Sequence, residues 1–234
     1  MNYTKKSLGQ NYLIDLNIIK KIINLVNIFN KNVLEIGPGK GALTNEILKN
    51  KPKSLILIEK DYDLSKQLKL KYRDEKNIKI YNEDILKFNL EEKIRENSII
   101  FGNLPYNISS QILVEIIKFK KYPLKYSALI LMFQKEMAHR IIGKFNTSKY
   151  GRLSILANWK LDIKKILDIN PNSFSPRPKV DSSLLLFSPK KKFFKIKDPK
   201  NLEKITRVFF NHRRKMIKKP FNQLFNGDQK ILDK

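Results

Sequence analysis

Cysteine is absent from this 234-residue chain. That excludes disulfides, cysteine-ligated zinc, iron–sulfur clusters and thiol nucleophiles. It also excludes methylation of a pyrimidine carbon through a covalent cysteine adduct, and zinc-dependent base deamination, whose metal draws ligands from cysteine. No metal site is expected. No run approaches the ~20 apolar residues of a membrane span. The amino-terminal Met1-Asn2-Tyr3-Thr4-Lys5-Lys6 lacks the apolar core of a signal peptide. A soluble, cytoplasmic protein is expected, without membrane partners. Acids are scarce, 22 against 48 Lys and Arg, for a formal charge of +26. Polyphosphate is the natural counterpart of such a charge. Part of the lysine excess reflects an A/T-biased composition, but the cluster Arg213-Arg214-Lys215 is not what that bias favours.

Against this background the chain carries a glycine-rich turn. Val33-Leu34-Glu35-Ile36 is a short apolar strand, and Gly37-Pro38-Gly39-Lys40-Gly41 follows it, with a helix opening at Ala42. Glycine permits tight turning and close approach to a ligand. Gly37, Gly39 and Ala42 satisfy the dinucleotide fingerprint, and Glu59 follows twenty residues after Gly39. A carboxylate there can accept both hydroxyls of a ribose. The fingerprint alone admits NAD or S-adenosylmethionine. Three details favour the second: the third alternate glycine, Gly41; Pro38 inside the turn, where a pyrophosphate would want a free N–H; and Asp84, after the strand Ile78–Tyr81. Asp84 can accept from the amino group of an adenine, with Glu83 as the competitor for that role.

The strand Ile99-Ile100-Phe101 leads into Asn103-Leu104-Pro105-Tyr106. In an open α/β sheet the carboxyl end of a strand is where ligands bind. Asn103 offers a side-chain acceptor. Pro105 fixes the turn so that the Leu104 carbonyl can point the same way. Tyr106 offers a face for stacking. The four residues suit the capture of a planar amine such as the exocyclic nitrogen of adenine. Further on, prolines flank Arg177 in the stiff segment 172–182, which can hold Phe174 in place. Phe174 and Tyr106 would together sandwich a flipped base, unless Phe174 plugs the core.

Strand and helix patterns alternate along the chain, which argues for a doubly wound, Rossmann-like α/β sheet of seven strands. A helix is expected over 14–29, capped by Asp15. The late strands 161–169 and 183–187, with no helix between them, predict an antiparallel hairpin at the edge. The expected catalytic domain covers 1–189. Composition then changes: residues 190–219 hold 13 Lys or Arg against two acids, Asp198 and Glu203. Leu202, Ile205, Phe209 and Met216 fall on one helical face, and Arg207, Asn211, Arg214 and Lys218 on another. Residues 190–234 are expected to form a small basic helical domain that binds phosphate.

With these residues in hand the chain resembles the ribosomal RNA adenine dimethyltransferases, closest to their small-subunit branch, the kasugamycin-sensitivity methyltransferases. The resemblance runs from residue 5 to about 225. Lys6 to Leu13 resembles the amino-terminal motif, with Tyr12 where Phe is usual. Leu34 to Gly41 resembles the cofactor motif, and Asn103 to Tyr106 the target-amine motif. Phe174 to Ser182 resembles the Pro-rich signature that separates this branch from the large-subunit resistance enzymes. Phe210 to Lys215 resembles the basic carboxy-terminal motif. The resemblance implies S-adenosylmethionine contacts at Gln10, Asn11, Leu13, Gly37, Gly39, Gly41, Glu59, Asp84 and Asn103. The basic helix face and the Arg213-Arg214-Lys215 cluster point to RNA contacts at Arg207, Arg213, Arg214, Lys215 and Lys218. The resemblance also implies dimethylation of two adjacent adenines near the 3′ end of 16S RNA, in an assembling small subunit; a monomer is the default expectation. Lys40 and Glu83 depart from the family pattern, and the helical domain is expected to be reduced or cut short at Lys234. The rivals are a large-subunit methyltransferase, a binding-only assembly factor or mitochondrial-type transcription factor built on this fold, and an NAD enzyme.

Overall fold

The computed structural model describes residues 10–211 and 217–226. Its strands are β1 (Tyr12–Leu13), β2 (Asn32–Ile36), β3 (Ser54–Glu59), β4 (Ile78–Asn82), β5 (Ser98–Asn103), β6 (Tyr126–Gln134), β7 (Leu161–Ile169), β8 (Phe174–Ser175) and β9 (Ser182–Pro189). Its helices are α1 (Leu16–Ile23), α2 (Ala42–Lys49), α3 (Tyr62–Lys71), α4 (Leu90–Lys93), α5 (Ser109–Ile117), α6 (Lys135–Ile141), α7 (Arg152–Lys160), α8 (Pro199–Asn211) and α9 (Lys218–Phe225).

Seven strands form one sheet in the order β4-β3-β2-β5-β6-β9-β7. The five from β4 to β6 are parallel, whereas β9 runs antiparallel to both β6 and β7. The edge hairpin is therefore as the sequence predicts. The chain winds outward from β2 to β4, then returns to lay β5 on the other side of β2. That reversal opens a crevice at the carboxyl ends of β2 and β5.

The central strands read as unbroken apolar runs because both faces are covered. Alternate residues feed two cores. Leu34, Ile36, Ile56, Ile58, Ile100, Leu129 and Leu131 pack with α5 and α7 on one face. Val33, Leu55, Leu57, Ile99, Phe101, Ile130 and Met132 pack with α1 and α2 on the other. Gly102, one residue before the end of β5, leaves room for Leu104: a Cβ there would stand 2.7 Å from Leu104 Cδ2, which would have to shift. Without it Leu104 folds back into the core and anchors the following turn.

Three local expectations are corrected. The first helix is shorter than 14–29. Asp15 does cap it, accepting from the Asn17 and Ile18 N–H groups at 3.0 and 3.2 Å. It ends at Ile23 because Asn24 closes back on Lys20 O and Leu25 on Ile22 O, which tightens the last turn. The sequence pattern also missed a two-stranded ribbon, in which Tyr12 and Leu13 pair with Ser175 and Phe174. Finally, α8 is not rolled as its apolar spacing suggests. Thr206 and Val208 are buried and Ile205 is exposed. Glu203 is drawn inward by Arg152 at 2.7 Å and Lys118 at 3.2 Å, which turns the helix.

Candidate active site

The crevice is a cleft open to solvent. It is lined by Gln10, Asn11, Gly37, Gly39, Glu59, Asp84, Asn103, Leu104, Pro105 and Tyr106, ten of the residues that the sequence singled out. They come from five separate stretches of chain. Each lies at the end of a parallel strand, or on the ribbon that ties the amino-terminal stretch across them.

The glycine turn is held from below. Gly39 N–H donates to Glu59 Oε2 at 3.0 Å, and Asp61 N–H donates to Oε1 of the same carboxylate at 2.9 Å. Two carboxylate oxygens offer about four acceptor sites, so capacity remains for a ligand hydroxyl. Glu59 is only 6% exposed, and burial pushes its pKa above the ordinary value. Gly37 and Gly39 have φ of +68° and +57°, the left-handed region that glycine adopts without strain. A Cβ on Gly39 would lie 2.7 Å from the Tyr12 ring. Gly39→Ala is therefore expected to cost about 1–2 kcal/mol in backbone strain and to displace Tyr12. Calorimetry should show cofactor affinity falling about tenfold; an unchanged affinity would mean that the turn is not part of the cofactor site.

Below the turn lies Glu35, 1% exposed, which accepts from Thr44 Oγ1 at 2.6 Å. Burial raises its pKa to about 7, opposed by the Thr44 bond and assisted by the charge of Glu59. The folded chain therefore binds this proton more tightly than the unfolded chain does. Its contribution is full below the unfolded value of 4.5 and is lost as pH rises to about 7. The loss is roughly 3 kcal/mol. Denaturant titrations of Glu35→Gln should show a flatter stability profile than the parent across that window. Parallel profiles would contradict the assignment.

Asn103 sits at the end of β5 and donates through Nδ2 to the Asn11 carbonyl at 2.8 Å. That bond leaves the acceptor end of the amide, Oδ1, for a ligand. Tyr106 is half-buried, and its hydroxyl is 2.6 Å from Ser182 Oγ at the start of β9. The contact locks the ring at the lip; burial keeps its pKa above the ordinary value. The amino-terminal wall is tied down by a relay: Tyr12 donates to Gln10 Oε1 at 2.8 Å, and Gln10 Nε2 donates to Asp61 Oδ2 at 3.2 Å. Burial, with Glu59 and Asp61 near, pushes the Tyr12 pKa up to about 12. Across the cleft Lys60 pairs with Asp84 at 2.8 Å and holds its carboxyl below the ordinary range.

Some expected residues fall elsewhere. Leu13 is 3% exposed and packs into the core behind the ribbon. Gly41 caps α2 under the Tyr72 hydroxyl and does not line the cleft. Phe174 is corrected more strongly. At 3% exposure it packs with Leu13, Ile169 and Leu184, because pairing with β1 turns its ring inward. It offers no open face beside Tyr106. Arg207 and Lys218 are exposed on α8 and α9, while Arg213, Arg214 and Lys215 lie outside the described residues. Residues that the sequence left unmarked also line the cleft: Lys60, and the apolar walls Ile36, Ile58 and Ile108. A lysine among so many carries no signal in the sequence, and the isoleucines read only as strand or helix interior.

Residues 1–233 match the family model of the ribosomal RNA adenine dimethylases. The chain belongs to the ribosomal RNA adenine dimethylase family. It is 60% identical over 231 residues to the ribosomal RNA small subunit methyltransferase A of Pelagibacter ubique, covering 98% of this chain and 87% of that protein. It is 41% identical over 237 residues to the protein of that name from a Wolbachia of Drosophila simulans, covering 98% and 84%. Among solved structures, a Plasmodium falciparum dimethyladenosine transferase superposes with a TM-score of 0.72 at 29% identity, covering 90% of this chain and 74% of that one. The 23S rRNA methyltransferase ErmE shares the fold at a TM-score of 0.71 and 22% identity, covering 93% and 86%.

The family's cofactor is S-adenosylmethionine, and the cleft fits it. Glu59, Glu83 and Asp84 give the cleft carboxylate acceptors of the kind that hydroxyls and an amine need, and Ile36, Ile58, Ile85 and Ile108 give it apolar walls. Beyond β6 the sheet continues through antiparallel β9 and then β7. An NAD fold would carry its second parallel half at that edge. Among the described residues no group of three or more His, Asp or Glu side chains could hold a metal, and no helix is long and apolar enough to cross a membrane.

Proposed function

We propose that the chain transfers methyl groups from S-adenosylmethionine to the exocyclic amines of two adjacent adenines near the 3′ end of 16S RNA, giving dimethyladenosine. The observation that carries this reading is the Asn103 amide. Its donor end is committed to the Asn11 carbonyl, so its acceptor end meets a ligand at the lip of the cleft. S-adenosylmethionine supplies an electrophilic methyl group on a sulfonium that departs neutral. The difficulty lies in the nucleophile, an amine whose lone pair is delocalised into the ring.

Asn103 Oδ1 and the Leu104 carbonyl would accept the two N–H bonds of the amine and draw them out of the ring plane. That localises the lone pair and stabilises the positive charge growing on nitrogen. Pro105 stiffens the turn that presents both acceptors. Tyr106 stacks on the flipped base, worth ~1–3 kcal/mol. Phe174, packed in the core and paired with Leu13, supports the ribbon behind the amino-terminal wall. The remaining work is positioning. No side-chain base is required, because the methylated ammonium is acidic enough to lose its proton to water.

Residues 1–189 act as the catalytic domain and 190–234 as the RNA-docking domain, with Arg207, Arg213, Arg214, Lys215 and Lys218 on phosphates. A monomer acting in the cytoplasm on an assembling small subunit fits the basic surface. Reaction of unmethylated small subunits, followed by nuclease mapping and mass spectrometry of the 3′-terminal fragment, tests the reading. Two neighbouring dimethyladenosines support it. Methylation at another base or position would overturn it.

A further inference from the structure

The loop between α6 and α7, residues 142–151, carries the aromatic ring of Phe145 at 74% exposure. Methyl transfer at the cleft makes no use of it. The loop is built rather than slack. Thr147 N–H and Oγ1 both bond to the Lys144 carbonyl, at 3.1 and 2.6 Å, and Tyr150 N–H bonds to Thr147 O at 3.1 Å. It closes so tightly that a Cβ on Gly143 would stand 2.5 Å from Lys149 O. Phe145 meets Tyr150 edge-on, centroids 5.6 Å apart, and Tyr150 meets Phe210 of α8 at 6.3 Å.

Its place in the fold is specific. Lys149 Nζ binds Glu136, in the first turn of α6, at 2.9 Å. That turn leaves the carboxyl end of β6, next to Asn103, whose partner across the strands is Met132. The loop thus bridges the strand-end edge that holds the Asn103 turn to the basic helix α8. Lys144 is exposed on the loop, Arg140 is exposed on α6 where it meets Glu136 at 3.4 Å, and Arg207 is exposed on α8. Arg207 stands three residues before Phe210, on the adjoining strip of α8.

We propose that Phe145 is a stacking platform for an unpaired base of the substrate RNA, outside the pocket for the target adenine. The proposal rests on the rRNA-methyltransferase reading. A rigid ring amid cations suits a single-stranded nucleotide, since every base has a π-face and its phosphates meet the lysines and arginines. The edge-on contact with Tyr150 leaves a face of Phe145 open, and the ladder through Phe210 couples its position to α8.

The test measures binding and methylation of unmethylated small subunits by the full chain. Phe145→Ala should weaken RNA binding and raise KM about tenfold, leaving kcat at saturation and cofactor affinity unchanged. Phe145→Tyr should hold within about twofold of the parent, and Phe145→Leu should fall like alanine. The salt dependence of binding should keep its slope in Phe145→Ala, whereas Arg207→Ala should lose about one unit. A photo-crosslinking phenylalanine analogue at 145 should attach to ribosomal RNA. Alanine binding as well as the parent, leucine matching phenylalanine, or a crosslink to ribosomal protein alone would each overturn the proposal. A parent chain that binds no small subunit would sink the functional reading with it.

Discussion

Asn103→Ala is expected to lower kcat for methyl transfer by about 10²–10³, the usual cost of removing one electrostatic contact to developing charge. Cofactor affinity should fall less than tenfold. The asymmetry follows from geometry. The Asn103 amide donates to the Asn11 carbonyl at 2.8 Å, so it supports the amino-terminal wall besides its proposed contact with the target amine. The wall has other supports, notably the Tyr12–Gln10–Asp61 relay. The amine has only Asn103 Oδ1 and the Leu104 carbonyl, so turnover carries the larger penalty. Asn103→Asp keeps an acceptor and sets a negative charge beside the growing positive one, but loses the donor to Asn11. It should fall between the parent and alanine. Rapid-mixing measurement of a single methyl transfer separates the chemical step from binding. Alanine turnover near that of the parent would remove Asn103 from the mechanism.

Glu59→Gln should produce the other large effect, a loss of cofactor affinity of about 10–100-fold. The carboxylate accepts a backbone N–H at each oxygen, from Gly39 at 3.0 Å and from Asp61 at 2.9 Å. A glutamine has one acceptor and one donor, so in either orientation an NH₂ group faces a backbone N–H. An unsatisfied buried donor costs about 1–3 kcal/mol. Relief of the buried charge offsets part of that in stability, because burial raises the Glu59 pKa and the ionised form is the costly one. No such relief applies to binding, where ribose hydroxyls need acceptors. Since the pKa is raised, parental affinity should weaken on acidification sooner than an exposed glutamate would dictate, and Glu59→Gln should lose that dependence. Calorimetric titration across pH reads both effects. Equal affinities at neutral pH would place the ribose elsewhere.

The sheet was legible because two-sided burial leaves strands such as Leu55–Ile58 and Ala128–Phe133 as apolar runs, and β3 and β6 run through those residues. The cleft was legible because glycine, proline and single carboxylates at strand ends have few other reasons to stand together. What escaped was set by contacts distant in sequence. The ribbon joins residues 12–13 to 174–175, two residues on each side, too short for any periodicity to show. Yet it turns Phe174 inward and fixes the wall that Asn103 grips. The Ser182 partner of Tyr106 was visible only as the end of a Pro-rich signature. The roll of α8 escaped for a related reason: Glu203 reads as a surface acid until Arg152 and Lys118 are brought beneath it.

Radiolabelled methyl transfer to unmethylated small and large ribosomal subunits, assayed in parallel with the nucleosides identified by mass, tests the central claim most directly. Dimethyladenosine in small-subunit RNA alone is the predicted result. Label in large-subunit RNA, or none in either while S-adenosylmethionine still binds, would contradict it.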